Sequence, residues 1–81
     1  MEGTIGEIKL WGGKFQNGKI PVGWAECNGQ TFDTGKKQAL FAVIGENYNK
    51  ETNEFSVPNI ASPSPDAKYI ICIDGNFPQL N

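Results

Sequence analysis

The strongest nucleophiles in this sequence are two thiols, Cys27 in "WAECNGQ" and Cys72 in "YIICIDG". A catalytic thiol works as a thiolate, so it needs a neighbouring base or a positive field. The chain contains no His, the commonest general base and the commonest metal ligand. Only Lys side chains or a helix N-terminus remain to activate Cys27, and the adjacent Glu26 opposes ionisation. A buried strand cysteine is therefore favoured over a nucleophile. The two thiols sit in extended segments before turns, so either they pair or both stay free. Pairing requires a Cα separation of about 4.4–6.8 Å, and a reducing cytoplasm favours two free thiols.

Other chemistry is thinner. The stretch "ENYNKETNE" offers oxygen from Glu46, Asn47, Asn49, Glu51, Asn53 and Glu54, the ligand type a hard cation takes. Its spacing matches no calcium loop and it lacks a central Gly, so a solvated loop is favoured and no metal site is assigned. Asn47, Tyr48 and Asn49 at its start form a candidate ligand-contacting tip for a sugar or peptide. Trp24 offers an indole for stacking on a sugar, but its place after Pro21-x-Gly23 favours a core anchor. Gly35-Lys36-Lys37 lacks the leading Gly of a phosphate loop and reads as a helix start. No carboxylate pair suited to acid–base work stands out. No catalytic residue and no cofactor are assigned, and the expectation is a protein that is not an enzyme.

Length and composition set the frame that must hold these groups. An 81-residue chain predicts one domain over 1–81, burying about 60–65% of its unfolded surface. Two Cys make at most one disulfide, so nine aromatic residues must supply much of the core, each burying about 150–250 Å². Seven basic residues, all Lys, are scattered among nine acids, giving a net charge of −2. Such a surface lacks the basic stripe of a nucleic-acid binder. The longest apolar run, Ala39–Ile44, is far below the roughly 20 residues that span a bilayer, so no membrane insertion is expected. The N-terminus "MEGTIGEIKLW" is not a Sec signal. It predicts synthesis in the cytoplasm and leaves open a final location in a particle released by lysis.

"GEIKLW" alternates, placing Ile8 and Leu10 on one face of a half-buried strand and Glu7, Lys9 and Trp11 on the other. Asn17-Gly18 and Asn28-Gly29 each suit a tight turn, the second opening a two-residue hairpin from Trp24–Cys27 into "QTF". A helix is predicted over about 36–44, started by Thr34 or Gly35 and stopped by Gly45. Its apolar stripe is Leu40, Val43 and Ile44 with Phe41 beside them. "FSVPNI" is extended, with Pro58 marking an edge or a strand end. Residues 62–68, "SPSPDAK", form a Pro/Ser connector. The continuously apolar Tyr69–Ile73 suits a strand covered on both faces, within the domain or by a neighbouring subunit. These elements predict an α+β fold: a small, mostly-β arrangement of short strands and hairpins with one short helix packed on the sheet.

The order "GEI … PVGW … CNGQ … ALF … G … FSVPN" resembles the bacteriophage tail collar domain. The residues that carry the likeness are Gly6, Glu7, Ile8, Pro21, Gly23, Trp24, Cys27, Asn28, Gly29, Gln30, Ala39, Leu40, Phe41, Gly45, Phe55, Pro58 and Asn59. "YIICIDGNFP" resembles the closing strand of many members. The resemblance implies a structural, receptor-side module of phage tail fibres or of tail-like injection particles, trimeric in the short tail fibres. It further implies partners among tail or baseplate proteins, a final place in the virion and no enzymatic activity. Three departures stand out. A polar loop replaces the family's Gly-rich one after the helix, Ala61-Ser62 stands where many members show Gly-Arg, and residues 62–68 stand where larger members carry a long insert. The competing reading is a lectin-like module that binds a cell-surface glycan through Tyr48 with Asn47 and Asn49, or through an exposed Trp11 or Trp24.

Overall fold

The computed structural model describes residues 3–12, 20–45 and 47–79. The turn expected at Asn17-Gly18 and the residue Glu46 lie outside them. Five strands and one helix follow in the order β1 (Ile8–Trp11), β2 (Trp24–Glu26), β3 (Thr31–Asp33), α1 (Gln38–Ile44), β4 (Glu54–Ser56) and β5 (Lys68–Cys72). They form two antiparallel sheets, one ordered β1-β5-β2 and the other pairing β3 with β4. The fold is α+β, mostly β with a helix.

Strand β5 is the centre of the larger sheet. Its register sets Ile8 opposite Ile71 and Leu10 opposite Tyr69 on one side, and Trp24 opposite Cys72 and Ala25 opposite Ile71 on the other. Facing residues share a sheet face and successive ones alternate, so β5 carries two apolar faces. Ile71 joins Ile5, Cys27, Leu40, Phe55 and Val57 in the main core, closed by α1 and the β3–β4 pair. Ile70 and Cys72 join Trp24 in a smaller cluster on the opposite face, flanked by Trp11 and Ile20. The unbroken apolar run of β5 is thus explained inside the fold. It is the buried middle strand, with Ile70, Ile71 and Cys72 fully covered within one chain.

Segments joined to β2 run differently from the expected hairpin. Asn28-Gly29 does not fold β3 back onto β2. It carries the chain across to the second sheet, where Asn28 bridges Asn59 and β3 pairs with β4. The polar residues of "CNGQ" fix this crossing. The Gln30 N–H donates to Asn28 Oδ1 (3.1 Å) and Gln30 Nε2 to the Glu26 carbonyl (2.9 Å). The Gly29 N–H donates to the Pro58 carbonyl, and the Ile60 N–H to that of Cys27. A local turn signal yields here to long-range pairing of 27–30 with 57–60.

The helix is shorter than expected. Thr34 and Gly35 do not open it. Asp33 Oδ1 accepts the N–H groups of Gly35 and Lys36, which spends that cap on a turn, and α1 begins at Gln38. Leu40 is fully buried and Phe41 and Ile44 pack on the core, but Val43 stands 36% exposed. Seven residues give less than two full turns, so the buried stripe is narrower than the periodicity implied. Gly45 ends the helix as expected, with φ 52° and its N–H donating to the Phe41 carbonyl.

Candidate functional site

Cys27 and Cys72 are buried, free and separated by the sheet. Burial raises both thiols above their ordinary pKa, and Glu26 adds to the rise at Cys27, as Glu7 does at Cys72. The Cys72 thiol donates to the Asp74 carbonyl (3.5 Å). Raised, solvent-excluded thiols are packing groups and poor nucleophiles.

Trp24 is fixed from both sides. Its N–H donates to the Pro21 carbonyl (3.1 Å), closing the "PVGW" turn. Gly23, at φ 87°, sits so close to Asp74 that a Cβ there would lie 2.9 Å from the Asp74 carbonyl oxygen. That approach lets the Gly23 carbonyl accept N–H groups from Ile73 and Asp74, locking β2 against the end of β5. The indole is 5% exposed with Lys9 Nζ 4.5 Å above its ring, so Trp24 is no sugar platform. Its Nε1–H is buried with no acceptor among the described residues. Trp11 is half-buried in the same cluster. The Gly35–Lys37 stretch is a turn whose N–H groups are taken by Asp33. Lys37 reaches Asp74 Oδ2 at 2.9 Å, clamping the start of α1 to the end of β5.

Among the described residues, two exposed surfaces bear on function. The first is the outer margin of β1. Alternation there was legible, but its direction was not. Ile8 and Leu10 are 41% and 50% exposed, whereas Lys9 and Trp11 are the half-buried pair. Ile8 and Leu10 lie on the main-core side of the sheet, and α1 with β3–β4 does not extend over that edge. Among the described residues, no strand pairs with the outer side of β1.

The second is the loop after α1. Asn47, Tyr48 and Asn49, expected to act together, line one recess of about 630 Å³ with Lys50 and Glu51. Lys50 carried no signal in the sequence beyond its place in the loop. Asn47 and Asn53 take left-handed conformations, φ 54° and 58°, which Asn tolerates better than most residues. Asn49 and Glu54 exchange backbone hydrogen bonds (2.7 and 3.2 Å), and the Thr34 N–H donates to the Asn53 carbonyl. Asn49 Oδ1 accepts from the Glu51 N–H. Of the oxygens that suggested a cation, Asn49 Oδ1 is engaged by the loop's own backbone and Asn53 Oδ1 by the Tyr48 hydroxyl. Among the described residues no cluster of three or more His, Cys, Asp or Glu is placed to hold a metal.

The fold, the Pro-x-Gly-Trp turn and the Cys-Asn-Gly-Gln crossing define a structural class. Residues 6–65 match the family model of the phage tail collar domain, so the chain belongs to that family, a structural module of phage tail fibres. Among curated proteins and among solved structures, none matches the chain. The family match ends before β5, yet β5 joins β1 to β2. The last sixteen residues therefore supply the central strand of the main sheet. No described helix is long and apolar enough to cross a membrane.

Proposed function

We propose that the chain is a non-enzymatic attachment module of a phage tail fibre or tail-like particle, working as a homo-oligomer in contact with other tail or baseplate proteins. The observation that carries this reading is the margin of β1, bare among the described residues. An open strand edge flanked by exposed apolar side chains is a hazard in a lone molecule, and it is what a subunit contact needs. Three copies are the favoured number, by resemblance to trimeric tail fibres. Native mass spectrometry of the purified chain tests the reading. A three-chain species is expected, and a monomer at every concentration would contradict it.

A second reading, glycan binding, is favoured by one feature: a half-exposed Tyr48 ringed by amides in an open recess. Sugar sites combine an aromatic platform with a few placed polar groups. The two readings are compatible in one tail protein.

A further inference from the structure

Tyr48 is exposed without being loose. One side of its ring packs on Phe41 (centroids 5.2 Å apart), which packs on Phe55 (5.2 Å), which meets Phe32 at 6.1 Å. This row of rings runs from the fully buried Phe55 to the surface, and Tyr48 is its outer end. The phenol O–H donates to Asn53 Oδ1 (3.2 Å), so the ring is held at both ends while remaining 47% exposed. The loop beneath it is closed by the Asn49–Glu54 bonds and tied to buried Thr34. An aromatic surface ordered before any ligand arrives loses little freedom on binding.

The rim sets the chemistry. Among the described residues, the side chains of Asn47, Lys50 and Glu51 are in no hydrogen bond or ion pair. Asn49 has its oxygen engaged and its NH₂ group available. Amides, one ammonium and one carboxylate together offer donors and acceptors with no net charge. A single aromatic ring matches the one C–H face of a sugar. It does not make the aromatic-lined groove that a proline-rich peptide requires.

We infer that the Tyr48 recess is a subsite for one uncharged pyranose ring of a glycan, stacked on the exposed face of Tyr48 with its hydroxyls on Asn47, Asn49, Lys50 and Glu51. This rests on the glycan reading above and narrows it to a place and a charge class. The test is ¹H–¹⁵N NMR of the intact chain titrated with methyl glycosides of glucose, galactose and N-acetylglucosamine. Sialic acid and an oligoproline peptide are the comparison probes. At least one neutral glycoside is expected to shift the amides of residues 47–51, with a Kd of about 1–10 mM, as befits a single ring. Tyr48→Ala weakens this about tenfold or more, while Tyr48→Phe keeps the stacking face and stays within about threefold. Tyr48→Ala also removes packing on Phe41. Asn47→Gly therefore serves as the second variant, because it keeps the backbone conformation and removes only the amide, and it should weaken binding several-fold at unchanged melting temperature. Shifts confined to another surface would overturn the site while leaving the glycan reading intact. No shift with any saccharide would end both. Preference for sialic acid or for the peptide would overturn the assignment of ligand class.

Discussion

The two faces of β5 solve the same packing problem by different means. The main-core face is covered by whole elements, α1 and the β3–β4 pair, and it buries Phe55, Leu40 and Val57. The opposite face is covered chiefly by individual side chains, with Trp24 lying over Ile70 and Cys72. A small chain has few elements to spend, so one indole replaces a layer. Among the described residues, the main-core face is closed in the middle and bare at its β1 margin. The Trp24 face is small but reinforced by the Glu26–Lys68 ion pair (3.6 Å) and by Lys9 over the indole. Closure by elements tolerates local change at its edges, whereas closure by one residue depends on that residue.

The contrast can be broken most severely at Phe55. It contacts both Phe32 and Phe41, so Phe55→Ala should cost about 4–5 kcal/mol. Against a total stability of about 4–12 kcal/mol for a chain of this size, that leaves little folded protein, as a urea titration followed by circular dichroism would report. Trp24→Ala is expected to cost about 3 kcal/mol or more by the same measurement. Trp24→Phe sharpens the comparison. It loses area but removes a buried N–H with no acceptor among the described residues, a group whose desolvation costs about 1–3 kcal/mol, so its net effect should be about 1 kcal/mol or less. If Trp24→Ala left the melting temperature unchanged, the indole would not be what closes that face.

At the bare margin the expectation reverses. Ile8→Thr with Leu10→Thr should change stability by about 1 kcal/mol or less, because those side chains are half in solvent already. The smallest effect concerns the thiols. Both are raised by burial, so the unfolded chain ionises first, near the ordinary thiol value of about 8.5. Their contribution is intact below that pH and is lost as pH climbs toward the folded value. Thermal melts from pH 8 to 10 should decline less steeply in the double Cys→Ala variant. Ellman's reagent should meet no reactive thiol in the native protein at neutral pH, and two after denaturation.

Much of this arrangement was legible in the residues. The Gly45 stop, the extended "WAEC" and "FSV", the doubly apolar "YIIC" and the anchoring role of Trp24 follow from local type and spacing. Three features did not. Asn28-Gly29 has the local signature of a hairpin, and only the distant partner at 57–60 makes it a crossing between sheets. The alternation of Ile8 and Leu10 identifies two faces but not which of them the rest of the chain reaches to cover. The helix start was obscured because Asp33, two residues before Gly35, caps a turn rather than the helix. For the candidate site, Asn47, Tyr48 and Asn49 could be grouped from sequence. The aromatic row that holds Tyr48 from beneath could not, since Phe32, Phe41 and Phe55 lie far apart along the chain.

The central claim is that the β1 margin, where Ile8 and Leu10 stand exposed and no described strand pairs, meets another copy of the chain. Sedimentation equilibrium of the wild type beside the Ile8→Thr/Leu10→Thr variant, at matched concentrations, tests it most directly. The wild type should sediment as an oligomer and the variant as a folded single chain. A monomeric wild type, or a variant that associates as strongly as the parent, would contradict the claim.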